Sequence, residues 1–266
     1  MELKELIKSG PLTQARSELV AAVKASPADQ GKRILLFQVL ACMGEWDKAR
    51  RHLEIITAQD SSRQAGVQVY LDLIQAETER IEVVHNKRPP SFLPESPDYL
   101  EIYENARQNL SKGRLQAAKA GFLEIDSRRP CVSGTLNNKK FSGFQGTDTR
   151  LFCFLEAFVH ERYILLPFEF IRELTLAPPE SFLDLLWASA QITTWEGLTL
   201  NCFLPVLYPE TFLSTDDRLR RGQMTDWTDL GEKIYQGVGR HVFQIGEEDV
   251  GILEIQQIIF NPVAVE

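Results

Sequence analysis

Residues 10–16 read Gly-Pro-Leu-Thr-Gln-Ala-Arg, and residues 44–50 read Gly-Glu-Trp-Asp-Lys-Ala-Arg. Glycine, a large apolar residue, alanine and arginine therefore recur in the same order at a period of 34 residues. A third copy starts at Gly113, with Leu115 and Ala118 at the same offsets. A period of 34 is typical of tetratricopeptide repeats, each of which is a pair of antiparallel helices. The first half of the chain is therefore predicted to be a tetratricopeptide-like helical array.

The residue types suit the positions that such a repeat gives them. The glycine allows a tight turn between the two helices, and the alanine lets the helices approach closely. Pro27 and Pro130 each lie 17 residues after their glycine, where a proline ends the second helix. Helix pairs bury their apolar faces only by stacking, and the array needs a cap. The C-terminal half of the chain is the predicted cap.

A change in charge places a domain boundary near residue 130. Residues 1–130 hold 19 basic and 18 acidic side chains, whereas residues 131–266 hold 10 basic and 19 acidic ones. Within the first domain, apolar residues at helical spacing predict a long helix over about 63–85, and four prolines predict a loop at 86–97. The third helix pair is expected over 99–130.

The second domain, 131–266, is predicted to be β-rich. Its segments of strand-like composition are separated by turn residues, and two pairs of segments are hairpin candidates. These segments are 162–167, 171–176, the pair 191–195 and 198–204, and the pair 241–245 and 252–260. The predicted fold is therefore a multidomain α+β protein, with a curled sheet or small barrel that carries one or two helices.

Composition and charge argue against two classes of function. Phosphate contacts need clustered lysine and arginine, so the acidic second domain does not favour nucleic-acid binding. The longest apolar stretch, 34–43, is too short to span a bilayer, and residues 1–8 lack the apolar core of a signal peptide. We therefore expect a cytoplasmic protein that does not insert into a membrane.

No motif points to catalysis, a metal or a cofactor. The four cysteines form no Cys-x-x-Cys pair, and residues 237–242 lack the third glycine of a dinucleotide-binding loop. No nucleophile elbow or zinc-binding histidine pair is present in the sequence. An enzyme remains an alternative only if the fold gathers its acidic residues with a histidine in one pocket. The candidates for such a pocket are Asp216, Asp217, Asp226 and His241.

The remaining candidates for function are residues suited to gripping another protein. In a tetratricopeptide array the first helix of each pair lines a concave groove that often receives a peptide or helix. The repeat register places Gln38, Tyr103 and Arg107 there. The alternative, which is the simpler interpretation, is that Tyr103 packs in the core and Arg107 is a solvated surface charge. Large aromatic residues of the second domain would form a binding patch if they were exposed together. The predicted partner-binding aromatics are Trp187, Tyr208 and Trp227.

Several short motifs of the second half, in their order along the chain, resemble the ImpE-like family, also called TagJ. These motifs are Arg162-Tyr163, Pro167-Phe168 with Ile171, Asp184-Leu185-Leu186-Trp187-Ala188, Pro205-Val206-Leu207-Tyr208-Pro209, Thr225-Asp226-Trp227 and Gly237-Val238-Gly239-Arg240. The resemblance covers nearly the whole chain, but the first half shares only the helical array.

Members of that family are accessory proteins of bacterial type VI secretion. The resemblance implies a non-catalytic adaptor, without a cofactor, that binds the N-terminal helix of the small sheath subunit and assists the ATPase that recycles the sheath. It supplies no residue-level binding motif. A chaperone-like protein that holds an unassembled subunit is the main alternative.

Overall fold

The structure, a computed structural model, describes residues 3–262. Its first half is helical, and each repeat copy forms the turn and second helix of a pair. In both the second and third copies the glycine of the turn, Gly44 or Gly113, has φ +68°, a conformation that favours glycine. The helices are α1 (Leu3–Ser9), α2 (Leu12–Ala25), α3 (Gln30–Cys42), α4 (Trp46–Gln59), α5 (Gln64–Val84), α6 (Leu100–Ser111) and α7 (Leu115–Arg128).

The apolar positions of the repeat form the core of the array. Ala15, Ala49 and Ala118 are fully buried, as close helix packing requires. The larger residues that follow them by four positions are also buried: Leu19, Leu53 and Phe122. The helical array predicted from the 34-residue period is therefore confirmed.

The second half consists of thirteen strands and one short helix within the described residues. The strands are β1 (Ser133–Leu136), β2 (Lys139–Ser142), β3 (Phe144–Gly146), β4 (Phe154–Val159), β5 (Arg162–Pro167), β6 (Ile171–Leu176), β7 (Trp187–Thr194), β8 (Thr199–Pro205), β9 (Thr225–Asp229), β10 (Tyr235–Gly239), β11 (Val242–Ile245), β12 (Glu248–Gly251) and β13 (Gln257–Phe260), and the helix is α8 (Asp217–Arg220).

Eight of these strands form one antiparallel sheet in the order β2-β1-β13-β6-β7-β8-β4-β5. The edge strands β2 and β5 do not pair with each other, so the curled sheet is confirmed and the closed barrel is not. The predicted hairpin of 191–195 with 198–204 is present as β7 and β8. The second predicted hairpin is wrong, because β11 pairs with β12 whereas β13 lies between β1 and β6 in the large sheet.

Both faces of the large sheet are apolar. Side chains alternate along β4, so that Phe154 and Phe158 face the helices while Leu155 and Ala157 join a second core beneath β3, β11 and β12. The helix-facing side shares one continuous core with the array. The sheet is thus the cap that the array needs, and it covers the array along α5.

The proline-rich segment covers an end of the sheet. Ser91 accepts a hydrogen bond from the backbone N–H of Leu165 at 2.8 Å, and Leu93 donates one back to the Leu165 carbonyl at 3.3 Å. These bonds satisfy the outer edge of β5. The segment, which connects α5 to α6, is therefore ordered, and its hydrogen bonds hold it against β5.

Candidate partner-binding site

The contact between α5 and the sheet contains a buried network of charges, which we call the seam. It comprises Glu77, Arg80, Glu156, Tyr163, Trp187 and His241. Arg80 of α5 donates two hydrogen bonds to the carboxylate of Glu156 on β4, at 2.7 and 2.6 Å. Both side chains are 2% exposed. A bidentate pair of this kind fixes the orientation of the two domains as well as their distance.

The other polar atoms of the seam complete this network. Tyr163 donates to Glu156 at 2.7 Å, the ring of His241 lies 2.9 Å from the same carboxylate, and Trp187 donates to Glu77 at 3.0 Å. Burial opposes the charge on Glu156, but the Arg80 guanidinium and the histidine hold the pKa of that carboxyl well below its usual range.

Two other groups of the seam have pKa values that burial moves towards their neutral forms. Burial raises the pKa of Glu77, against the attraction of Arg80, and burial lowers the pKa of His241. Perturbed pKa values mark functional sites in many enzymes, but they also arise in structural ion-pair networks.

The seam leaves no room for a substrate. The cavity beside Glu156 and His241, which Asp148 and Tyr208 also line, has a volume of about 10 Å³. That volume is close to the space of a single water molecule. The arrangement can therefore clamp the array to the sheet, and within the described residues it offers no pocket for chemistry on a ligand.

The acidic residues of the enzyme alternative do not gather around His241. Asp216 caps α8 and pairs with Arg218, while Asp217 accepts a hydrogen bond from the backbone N–H of Leu12 at 2.8 Å. Asp226 is exposed on β9, and His241 is buried in the seam. In the described part of the chain, no group of three or more metal-ligating side chains could hold an ion.

The residues predicted to line the concave groove are covered by the sheet or partly buried. The ring of Tyr103 lies 4.8 Å from that of Phe154 on β4, and its hydroxyl donates to the Arg150 carbonyl at 2.8 Å. Arg107 is 9% exposed, lies over the Tyr103 ring and donates to the carbonyl of Val83. Gln38 of α3 is half-buried. The sheet thus covers Tyr103, whereas Arg107 packs against α5 and Gln38 keeps part of its surface accessible.

The three predicted aromatics have different environments. Trp187 is 1% exposed and its ring lies 6.3 Å from that of Trp46, inside the seam. Tyr208 is also 1% exposed, and its ring lies 4.0 Å from that of His241. Trp227 is 40% exposed on β9. Of the three, only Trp227 has a surface available to another molecule in this structure.

Trp227 lies beside an open groove at the end of the helical array. This terminal groove, about 400 Å³ in volume, runs between α7 and the segments around β3 and β10. We define it by six of its lining residues: Lys119, Phe122, Leu123, Phe152, Lys233 and Ile234. The indole N–H of Trp227 donates to Thr147, which also lines the groove, at 3.1 Å.

Leu123 is the most exposed apolar side chain of the terminal groove, at 59%. The sequence reasoning missed it, because the repeat pattern marks Phe122 and Ile125 as the buried positions of α7. A signal was present, since Leu123 is a large apolar residue outside those positions, where a helix normally carries polar side chains.

The chain is similar to known proteins over nearly its whole length. The sequence is 30% identical over 262 residues to the type VI secretion system accessory component TagJ of Pseudomonas aeruginosa PAO1, covering 98% of this chain and 92% of that protein. The profile of the ImpE protein family matches residues 138–259. The fold matches the crystal structure of protein VPA1032 from Vibrio parahaemolyticus with a TM-score of 0.90, over 98% of both chains at 21% identity.

Proposed function

The chain belongs to the ImpE/TagJ family, and we propose that it works as an accessory protein of a bacterial type VI secretion system. The observation that carries this proposal is the 30% identity with the TagJ component, which extends over 98% of the chain. A match of that extent includes both the helical array and the sheet, so it concerns the assembled protein and not one shared module.

Its role in that system is to bind another protein without catalysis. The partner is the small sheath subunit, held through its N-terminal helix, and the complex assists sheath turnover by the recycling ATPase in the cytoplasm. Two features support this role. The buried ionisable groups of the seam are engaged in holding the two domains together, and the terminal groove leaves an apolar surface open. No helix among residues 3–262 is long and apolar enough to cross a membrane.

Calorimetric titration of the purified small sheath subunit into this chain tests the role. We expect saturable binding to the full-length subunit and loss of that binding when the subunit lacks its N-terminal helix. Equal affinity for the truncated subunit would contradict the helix as the bound segment. No binding of either form would contradict the adaptor role.

Capture from cells distinguishes an adaptor from a holder of unassembled subunits. A tagged chain that works as an adaptor should recover assembled sheath together with the ATPase. Recovery of free small subunit alone, with no ATPase, would favour the chaperone-like alternative.

A further inference from the structure

From α1 to α5, each helix of the array packs on the one before it. α3 packs on α2, the second helix of the first pair, and α5 packs on α4 in the same way. α7 is the second helix of the last pair and packs chiefly on its own partner, α6. Among the described residues, the only α-helix after α7 is α8, which has four residues and packs beside β10. The stack therefore ends at α7 without the helix that would follow.

One side of α7 has an apolar centre between two charged residues. Lys119, Phe122, Leu123 and Asp126 lie on it, and Leu123 is exposed. This side borders the terminal groove, whose floor includes Phe122 and Phe152 and whose opposite wall includes Ile234. The corresponding side of α4 carries Arg50, the equivalent of Lys119, and the Arg50 guanidinium donates to Gln75 of the next helix, α5, at 3.2 Å.

The rim of the groove carries positive charge. Lys233 has no carboxylate within 4 Å among the described residues, and Lys119 has one contact, with Glu232 at 3.7 Å. The acidic residue of the lining, Asp126, is paired with Arg129 at 2.9 Å. A segment with acidic side chains next to an apolar stripe therefore complements the rim.

We propose that the terminal groove binds one amphipathic helix of a partner protein, which lies on α7 as the first helix of a further repeat would. The apolar stripe of that helix contacts Leu123, Phe152 and Ile234, and flanking carboxylates meet Lys119 and Lys233. Trp227 closes one margin of the site. The proposal rests on the proposed function for the identity of the partner, the small sheath subunit, but the place of binding comes from the unfinished stack.

Leu123→Glu tests the proposal, because it places a charge in the apolar part of the terminal groove. The probe is a synthetic peptide that covers the N-terminal helix of the small sheath subunit, and its affinity is measured by calorimetry. The matched control is Leu213→Glu, since Leu213 is 65% exposed and lies next to Phe212, which packs on Trp46 at the α3–α4 turn. We expect Leu123→Glu to weaken binding by at least about tenfold and Leu213→Glu to leave it unchanged.

Failure of the terminal groove as the binding site and failure of the adaptor role give different results. Wild-type affinity in the Leu123→Glu variant would overturn the terminal groove while leaving the adaptor role intact. Binding of neither the peptide nor the whole subunit to the wild-type chain would overturn the adaptor role and the occupant with it. Lys119→Glu, which reverses a charge on the rim of the groove, replaces Leu123→Glu if that variant does not fold by circular dichroism.

A second copy of this chain is the competing occupant. Sedimentation of the wild-type chain and the Leu123→Glu variant over a range of concentrations detects it. We expect both to sediment alike. Self-association of the wild-type chain that the variant abolishes would overturn the proposal, since the groove would then be an interface between copies.

Discussion

The seam and the terminal groove both involve surfaces of the same helical array, but the first is buried and the second is open. In the seam, the sheet covers the array, and each charged group pairs with another, as Arg80 does with Glu156. At the terminal groove, Leu123 remains 59% exposed beside a groove of about 400 Å³. The chain thus covers the first surface with its own second half and leaves the second surface open, and the open surface is where we propose that the partner binds.

The first prediction concerns the ion pair of the seam and has the largest expected effect. Arg80→Ala leaves Glu156 buried without its cation, which costs about 3–5 kcal/mol in the free energy of unfolding. The measurement is denaturation by urea, followed by circular dichroism. Arg16→Ala, which removes the partly exposed pair with Glu45, is the control and should cost at most about 1 kcal/mol. Equal losses in both variants would show that the seam does not clamp the domains.

The second prediction compares two leucines on the second helices of their pairs. Leu53 of α4 is 2% exposed, so Leu53→Ala should cost about 2–5 kcal/mol in unfolding free energy. Leu123 of α7 is exposed, so Leu123→Ala should change that free energy by no more than about 0.5 kcal/mol. The same denaturation experiment measures both. A large loss for Leu123→Ala would mean that the terminal groove is needed for folding and is not kept open for binding.

The third prediction uses the pH dependence of the seam. Burial lowers the pKa of His241. As the pH falls below about 6.5, the His241 imidazole therefore becomes protonated in the unfolded chain while it stays neutral in the folded chain. His241 therefore removes stability as the pH falls from 7 towards its folded pKa. Glu77 acts in the opposite direction, because burial raises its pKa. The low pKa of Glu156 means that its carboxylate stabilises the folded chain. That stabilisation is lost only at more acidic pH, below about 4.3, where the carboxylate of the unfolded chain becomes protonated.

The contribution of His241 is isolated by comparing the wild-type chain with His241→Gln. Unfolding free energies are measured at several pH values between 7 and 5.5. We expect the variant to lose less stability over that range than the wild-type chain does. Identical slopes would show that His241 is protonated equally in the folded and unfolded states.

The sequence predicted the helix pairs because their glycines and alanines have local geometric roles. The turn at Gly44 needs a positive φ, and Ala49 needs a small side chain, whatever packs nearby. The hairpin of β7 and β8 was also predicted from neighbouring residues, because its strands have strand-like composition and its turn lies between them. Strand order was not, because β13 pairs with β1 and β6, which lie far away in the sequence.

The candidate site shows the same limit. The repeat register placed Tyr103 and Arg107 on the concave face, but a single-chain pattern does not reveal which segment covers that face. Phe154, from another domain, packs on Tyr103 in the structure. The exposure of Leu123 follows from its place in the repeat, since the equivalent residue of α4, Glu54, is also exposed.

Hydrogen–deuterium exchange of this chain, with and without the small sheath subunit, tests most directly whether the partner binds at the end of the stack. We expect slower exchange in α7 and in the β9–β10 hairpin on binding, with no change in α3 or α6. Slower exchange confined to α3 and α6 would instead place the partner on the concave face and would contradict binding at the end of the stack.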